Sequence, residues 1–229
     1  MIGPQDFSII FRRLLNHYGK QGWWPADSVL EIIIGAILVQ GTNWRNAALA
    51  IRHMKEYGAL CIERLRDISV DELAAIIRPA GFHKIKAIRI KNFVSQLCSK
   101  FGWDLDALSR LTDHELRSFL LSVRGIGRET ADNIMLYAFN RLIFPVDNYT
   151  RRLFKRLGYA PRGGYEELRK WIESNIDKDL EVYREFRALI VRHCKDICTK
   201  KPKCIKCPIK DLCNYYKRGK DEDYSCGYK

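Results

Sequence analysis

The sequence predicts an all-α protein, and three observations predict it. Apolar residues recur at the spacing of one helical face, as over residues 6–18, and this pattern continues through most of the chain. The strict alternation of apolar and polar residues that indicates a half-buried strand is missing from the sequence. Thr112 and Glu115 form a capping-box pattern, in which a Glu three residues after a Thr marks the start of a helix.

Taken in order, the predicted helices differ in character. The segment 6–18 is amphipathic, whereas 28–40 is almost entirely apolar and therefore suits the central helix of a bundle. With 229 residues, the chain can bury a sizeable core as one domain or as two small ones. Further helices are predicted at 43–57, 70–77 and 84–100, from Thr112 onward, and at 128–140, 148–157, 164–176 and 179–194.

The chain is strongly basic. Its net charge is +13, from 40 Lys and Arg against 27 Asp and Glu. This excess favours a polyanionic partner, of which nucleic acid is the commonest, although a basic solvated surface explains the charge alone as well. No stretch reaches the roughly 18 apolar residues of a membrane span, and no signal-peptide pattern opens the chain. We therefore expect no membrane contact and a cytoplasmic, nucleoid-associated location.

The stretch VRGIGRETADNIMLYAFNRLIFPVDNYTRR carries the most information about function. Gly125 and Gly127 allow a tight turn that another chain can approach closely. The backbone amides at the start of the following helix form a seat for a phosphate, with Arg124 and Arg128 on either side. The stretch therefore predicts a site that binds a nucleic-acid backbone next to a carboxylate.

The motif GIGRETA at 125–131, followed by Pro-Val-Asp ending at Asp147, resembles the helix-hairpin-helix of the endonuclease III superfamily of DNA glycosylases. This resemblance implies that Asp147 is catalytic, by stabilising positive charge on the sugar or by orienting the attacking water. Without that context, Asp147 at the start of a helix would be interpreted as an N-cap. The hairpin residues that the resemblance implies in DNA binding are Arg124, Gly125, Gly127, Arg128 and Thr130.

The resemblance also implies a two-domain helix-hairpin-helix glycosylase fold. A six-helix domain would span 22–137 and end with the hairpin. A second helical domain, bearing an iron–sulfur cluster, would combine 1–21 with 138–229.

Four of the eight cysteines crowd into one loop with the pattern C-x5-C-x2-C-x5-C. A structural zinc more often uses two separated C-x2-C hooks, whereas four thiolates in one compact loop suit a cubane cluster. The loop resembles the [4Fe-4S] loop of the superfamily, although that loop usually has six residues between its first two ligands. A [4Fe-4S] cluster is predicted, with zinc or free thiols as alternatives and with Cys194 as a possible substitute for the first ligand. The predicted ligands are Cys198, Cys204, Cys207 and Cys213.

Three lysines lie between the first two of these cysteines. A metal-pinned loop holds basic side chains in place, so Lys200, Lys201 and Lys203 are predicted phosphate contacts.

Glu129 departs from the superfamily pattern, because members that also cut the DNA strand carry a lysine at this position. A lysine amine can form a Schiff base with the sugar, whereas a carboxylate cannot. We therefore expect no AP lyase activity. Glu129 either lines the base pocket or forms a surface pair on its helix.

Trp24 and Trp44 lie near the two ends of the apolar segment 28–40. With Trp-Trp-Pro, Pro-Ala-Gly-Phe and the Glu of the hairpin, they resemble the 3-methyladenine glycosylase III branch, in which two aromatic side chains sandwich the flipped base. The resemblance places Trp24 and Trp44 in the base pocket, where indole faces attract cationic alkylated purines. Gln40 matches the superfamily position that fills the gap left by the flipped base.

Together these features predict a monomeric, monofunctional DNA glycosylase of base excision repair. Its substrate would be double-stranded DNA with an alkylated purine, 3-methyladenine or 7-methylguanine. Three alternatives stay open: a mismatch glycosylase for uracil or thymine opposite guanine, a bifunctional endonuclease III-like glycosylase/AP lyase, and a non-catalytic iron–sulfur DNA-binding protein. The last would tolerate loss of the Asp147 carboxylate.

Overall fold

The computed structural model describes residues 4–159 and 164–219. Parts of the expected second domain, at 1–3, 160–163 and 220–229, lie outside the described residues. Within the described ranges the chain forms helices and no strand, so the all-α prediction is confirmed. The helices are α1 Pro4–Tyr18, α2 Val29–Leu38, α3 Trp44–Glu56, α4 Ile62–Asp67, α5 Val70–Ile76, α6 His83–Phe101, α7 Asp113–Ser122, α8 Arg128–Ala138, α9 Asn148–Leu157, α10 Gly164–Asn175, α11 Leu180–Asp196 and α12 Asn214–Lys217.

Two of these helices, α4 and α12, are absent from the sequence-based assignment. They have six and four residues, which is too short for an apolar period to be recognised. The capping box before α7 forms as the sequence predicts, with Thr112 and Glu115 bonded reciprocally. None of the described helices is long and apolar enough to cross a membrane.

The chain divides into two compact units. The unit Trp24–Pro145 is called the hairpin unit here; residues up to Trp23 and from Val146 onward form the terminal unit. The hairpin unit ends at Pro145 rather than at the expected 137. Arg141 donates to the carbonyls of Ser109 and Leu111, and Phe144 is fully buried, so this stretch belongs to the core of the hairpin unit.

Helix α2 is the centre of the hairpin unit. Its apolar side chains are almost all buried, and it packs against α3, α6 and α8. Lys86 on α6 is buried with them, and its Nζ donates to the carbonyls of Leu38 and Ala80 at 2.7 and 2.8 Å. These bonds tie the end of α2 to the turn before α6. Burial lowers the pKa of Lys86 to about 8.

The terminal unit packs around an aromatic cluster. Phe7 on α1 stacks on Phe154 of α9 at 5.2 Å between ring centroids, and Trp171 and Phe186 meet the pair edge to face. Helix α9 also packs against α11 and α12. Helix α9 is therefore packed into the core of this unit through Phe154, and Asp147 is its N-cap.

Candidate functional site

The hairpin of the hairpin unit joins α7 to α8 through a turn that requires glycine at one position. Gly125 has φ +102°, a conformation that side-chain-bearing residues rarely adopt. A Cβ at this position would lie 2.3 Å from Cγ of Arg89, so the Arg89 side chain lies directly against the turn. Ile126 is buried and anchors the turn in the core.

The start of α8 has no side-chain cap. Gly127 occupies the N-cap position in an extended conformation, and nothing lies within 4 Å of the point where its Cβ would be. Arg124 and Arg128 are exposed beside this helix end. The structure therefore brings together the open helix start and flanking positive charge that the sequence predicts for a phosphate seat.

Gln40 and Thr130 belong to the internal framework of this hairpin. Gln40 Nε2 donates to the Gly125 carbonyl at 3.1 Å and to Thr130 Oγ1 at 2.8 Å, while Arg89 donates to Gln40 Oε1. Thr130 is buried. Gln40 therefore braces the turn in this conformation, and its expected role in filling a DNA gap stays a prediction.

Trp24 and Trp44 contact each other edge to face, and their expected sandwich around a base stays a prediction. Their centroids are 5.0 Å apart at an interplanar angle of 80°, and Trp24 also packs on Tyr137 at 5.3 Å. A base between two parallel rings needs about 7 Å, twice the roughly 3.5 Å contact distance of carbon atoms. No base fits between Trp24 and Trp44 in this arrangement. A base-pocket role would therefore use an outer face of the pair.

Glu129 lies in the first turn of α8 and is exposed. A carboxylate in the first turn of a helix interacts favourably with the helix dipole. Its place in a base pocket stays a prediction.

Asp147 is the N-cap of α9 and is 7% exposed. Its Oδ1 accepts hydrogen bonds from the Thr150 amide at 2.7 Å and from Thr150 Oγ1 at 2.9 Å. Its Oδ2 lies 3.0 Å from Nη2 of Arg187 on α11. The structure thus contains the N-cap, and it adds an ion pair with a buried arginine.

The four cysteines of the predicted cluster line one pocket of the terminal unit, together with His193 and Arg156. Arg156 donates to Cys198 Sγ at 3.2 Å, and Cys207 Sγ lies 3.6 Å from Nε2 of His193. The hydrogen bond from Cys194 and the Arg156 guanidinium lower the pKa of the Cys198 thiol.

Cys194 differs from these four. Its thiol lies 3.5 Å from the Tyr149 carbonyl, and its hydrogen bond with Cys198, together with burial, raises its pKa. Among the described residues, no three His, Cys, Asp or Glu side chains converge closely enough to hold one metal ion.

Two arginines of α9 hold the backbone of the cysteine loop. Arg152 donates to the carbonyls of Cys194 and Cys198, and Arg156 donates to those of Cys198, Thr199 and Lys200. These bonds fix the start of the loop relative to α9. The three lysines predicted to contact phosphate are all exposed: Lys200, Lys201 and Lys203.

Sequence patterns missed Arg187, Arg89 and His193. Arg187 and His193 are buried on α11, and Arg187 stands among apolar side chains, which is the one signal that could have drawn attention to it. Arg89 follows the helical period of α6, and nothing local indicates its contact with Gly125.

Comparisons with known proteins agree with this architecture. A family model described as "HhH-GPD superfamily base excision DNA repair protein" matches residues 34–178. The Methanocaldococcus jannaschii protein named "Putative DNA repair glycosylase" is 44% identical over 208 residues, which cover 89% of this chain and 94% of that one. An endonuclease III of Sulfolobus acidocaldarius is 30% identical over 194 residues, 82% of this chain and 83% of that one.

The solved structure of an H. pylori 3-methyladenine DNA glycosylase bound to 1,N6-ethenoadenine has the same fold, with a TM-score of 0.72 at 24% identity. The match covers 85% of this chain and 98% of that one. These findings confirm the superfamily that the hairpin motif indicates. The chain therefore belongs to the HhH-GPD superfamily of base excision DNA repair proteins and is a DNA glycosylase with an all-α fold.

Proposed function

We propose that this protein is a monofunctional glycosylase that hydrolyses the N-glycosidic bond of an alkylated purine in double-stranded DNA. It would act as a monomer at the nucleoid, with 3-methyladenine and 7-methylguanine as the expected substrates. The observation that carries the proposal is the Asp147 carboxylate, buried and anchored at the start of α9.

Asp147 can supply the charge that the reaction needs. Breaking an N-glycosidic bond builds positive oxocarbenium character on the sugar, and a fixed carboxylate stabilises that charge. Each carboxylate oxygen offers about two acceptor sites. Oδ1 uses both on Thr150, whereas Oδ2 uses one on Arg187. Oδ2 is therefore the oxygen that would face the sugar or the attacking water.

The choice of an alkylated purine rests on the aromatic group around Trp24. Trp24 and Trp44 form a partly exposed aromatic surface, and the buried Tyr137 packs on Trp24. A purine alkylated at N3 or N7 is cationic, so it stacks favourably on such a surface, and its glycosidic bond is already weakened. A 3-methyladenine glycosylase is among the proteins that share this fold.

The absence of AP lyase activity follows from Glu129. A strand-cutting mechanism through a Schiff base needs an amine nucleophile, and the carboxylate at 129 cannot serve as one. The similarity to an endonuclease III makes the bifunctional alternative the one to test directly.

DNA would be held by its phosphates at two places. The open start of α8, with Arg124 and Arg128, offers amides and positive charge to one phosphate. The exposed lysines of the cysteine loop offer further charge-assisted contacts.

A [4Fe-4S] cluster held by Cys198, Cys204, Cys207 and Cys213 is part of the proposal. All four line one pocket, and Arg156 and His193 are close enough to hydrogen-bond two of the sulfurs. A structural zinc more often uses two separated C-x2-C hooks, whereas four thiolates in one compact loop suit a cubane. The cluster would cross-link the loop and so hold its lysines in place.

The test is a panel of duplexes that carry 3-methyladenine, 7-methylguanine, U:G, T:G or thymine glycol. Released base and alkali-sensitive sites are scored for the wild type, Asp147→Asn and Asp179→Asn. Asn is as good an N-cap as Asp, so Asp147→Asn keeps the helix cap; it also removes the charge that pairs with Arg187, so circular dichroism melting checks that the variant is folded. Asp179 caps α11 in the same way through Val182 and is the matched control.

We expect the wild type to release methylated purines and to give strand breaks only after alkali. Base release by Asp147→Asn should be roughly 100- to 1000-fold slower, the range seen when one transition-state contact is lost. Asp179→Asn should behave as the wild type. Efficient borohydride trapping of a protein–DNA adduct would contradict the monofunctional assignment, and release of uracil or thymine alone would contradict the alkylpurine assignment.

A further inference from the structure

Asp147 and Arg187 form an ion pair inside the terminal unit. Nη2 of Arg187 lies 3.0 Å from Oδ2 of Asp147, and the two residues are 5% and 7% exposed. On α11, Arg187 follows Phe186 and precedes Ala188 and Leu189, all of them buried. A charge in such surroundings is unfavourable unless it is paired, so the contact with Asp147 gives this arginine a physical reason to be there.

The donors around Asp147 come from two different helices. Thr150 on α9 supplies two hydrogen bonds to Oδ1, and Arg187 on α11 contacts Oδ2 from another direction. Rotation of the carboxylate would break at least one of these contacts. The pair therefore fixes which oxygen keeps an open acceptor site.

Helix capping alone does not require this arrangement. Asp179 caps α11 through the Val182 amide, and it is exposed. Asp147 caps α9 through Thr150 and has a buried arginine in addition. The arginine is thus not explained by the helix start.

We propose that Arg187 is a positioning residue, which acts through Asp147 by holding its carboxylate so that the open acceptor site of Oδ2 meets the reacting sugar. This inference rests on the proposed catalytic role of Asp147. Arg187 itself makes no contact with substrate in this scheme; it controls the orientation of the group that does.

The experiment measures single-turnover base release and DNA affinity on the duplex that the wild type cuts fastest in the panel above. In Arg187→Gln we expect release to slow about 100-fold, because small misplacements of a catalytic group cost that much, with an unchanged dissociation constant for DNA. Arg187→Lys keeps the charge but lacks the planar guanidinium, so its rate of base release should lie between those of the wild type and Arg187→Gln. Arg192→Gln is the matched control, since it removes an arginine from the exposed face of α11, where it pairs with Asp196.

A double variant separates positioning from other roles. If Arg187 acts through Asp147, adding Arg187→Gln to Asp147→Asn should slow release no further. A further slowing, or a folded Arg187→Gln variant with the wild-type rate, would overturn the inference. Circular dichroism melting checks folding; should Arg187→Gln not fold, Arg187→Lys carries the test, and a wild-type rate in that variant would overturn the proposal.

The two proposals can fail separately. An Asp147→Asn variant as fast as the wild type refutes the proposed catalytic role. A slow Asp147→Asn variant beside a fast Arg187→Gln variant refutes only the positioning role.

Discussion

The N-cap residues of helices α8 and α9 have nearly the same backbone conformation but different side chains. Gly127 precedes α8 at φ −90° and ψ 177°, and Asp147 precedes α9 at φ −102° and ψ −176°. A helix N-terminus attracts negative charge. Helix α9 receives that charge at its N-cap from the Asp147 side chain, whereas the N-cap of α8 is a glycine and its own acidic residue, Glu129, lies exposed in the first turn; we propose that a DNA phosphate binds the uncapped amides of α8. The same local geometry therefore holds an internal carboxylate in one unit and, in the proposed function, would bind a DNA phosphate in the other.

The two helices also differ at their other ends. In the second half of α9, Arg152 and Arg156 donate to carbonyls of the cysteine loop, so this half of the helix is tied to the loop. Helix α8 ends at Ala138, where the chain turns back and the Arg141 amide bonds to the Met135 carbonyl. Rigidity at α9 suits a catalytic group, and an open start at α8 suits binding.

The largest expected effect concerns the cysteine loop, to which α9 is tied. Cys198→Ser should yield protein without bound iron or visible cluster absorbance, because one of four thiolates is lost. Loss of a structural metal centre removes folding energy, so we expect the melting temperature to fall by about 10 °C or more. Cys194→Ser is the matched control and should retain iron. Equal iron loss in both variants would contradict the assignment of ligands.

The next effect concerns the turn before α8. Gly125→Ala should lower the free energy of unfolding by about 2–3 kcal/mol, since φ is +102° and the new Cβ would collide with Arg89. Gly127→Ala, where there is room for a Cβ, should lower stability by only about 0.5–1 kcal/mol, because Ala is a poorer N-cap than Gly. Urea unfolding of both variants gives the comparison. Equal losses would mean that the turn does not depend on the conformation of Gly125.

A third change converts the start of α8 into a copy of the start of α9. Gly127→Asp fits the backbone and the available space, and its carboxylate would occupy the position proposed for a DNA phosphate. We expect DNA affinity to fall about 10-fold or more through repulsion and a blocked seat, with thermal stability kept. Fluorescence anisotropy with labelled duplex measures the DNA affinity, with Gly127→Ala as the control. Unchanged affinity would show that the phosphate is not held there.

The smallest expected effect is on the pH dependence of stability, and it comes from a difference between the buried charges of the two units. Arg187 is paired with a carboxylate, whereas the bonds of Lys86 go to two backbone carbonyls. Burial lowers the pKa of Lys86 from 10.5 to about 8. Between pH 8 and 10.5 the unfolded chain binds more protons at this side chain than the folded chain, so stability rises with pH across that window.

Lys86→Met should remove this rise, which amounts to about 1 kcal/mol between pH 8 and 9. Chemical denaturation at both pH values, for the wild type and the variant, measures it. The same slope in the two proteins would mean that Lys86 is not the titrating group.

The sequence predicted the parts of the molecule that local patterns encode. The helical class, the capping box at Thr112 and the central position of α2 all follow from periodicity and cap chemistry within a few residues. The N-cap interpretation of Asp147 was also available from its position alone.

What the sequence could not supply are contacts between distant residues. The partner of Asp147 lies 40 residues away on another helix, and Arg89 reaches Gly125 from 36 residues away. The geometry of Trp24 and Trp44 is another case, and their expected sandwich around a base stays a prediction. Residue type indicates that an indole can stack on a base, whereas the angle and distance between two indoles depend on the packing of the whole unit.

The uncapped start of α8 bears on how variants of this protein are selected. Glycine at an N-cap is only a few tenths of a kcal/mol less favourable than Ser, Thr, Asn or Asp. Replacing Gly127 by one of these four residues should therefore be neutral or slightly stabilising. A screen for heat resistance would therefore accept them, although they obstruct the proposed DNA seat. Thermal tolerance and repair activity are separable at this residue, and a search for robust variants has to score DNA binding alongside melting temperature.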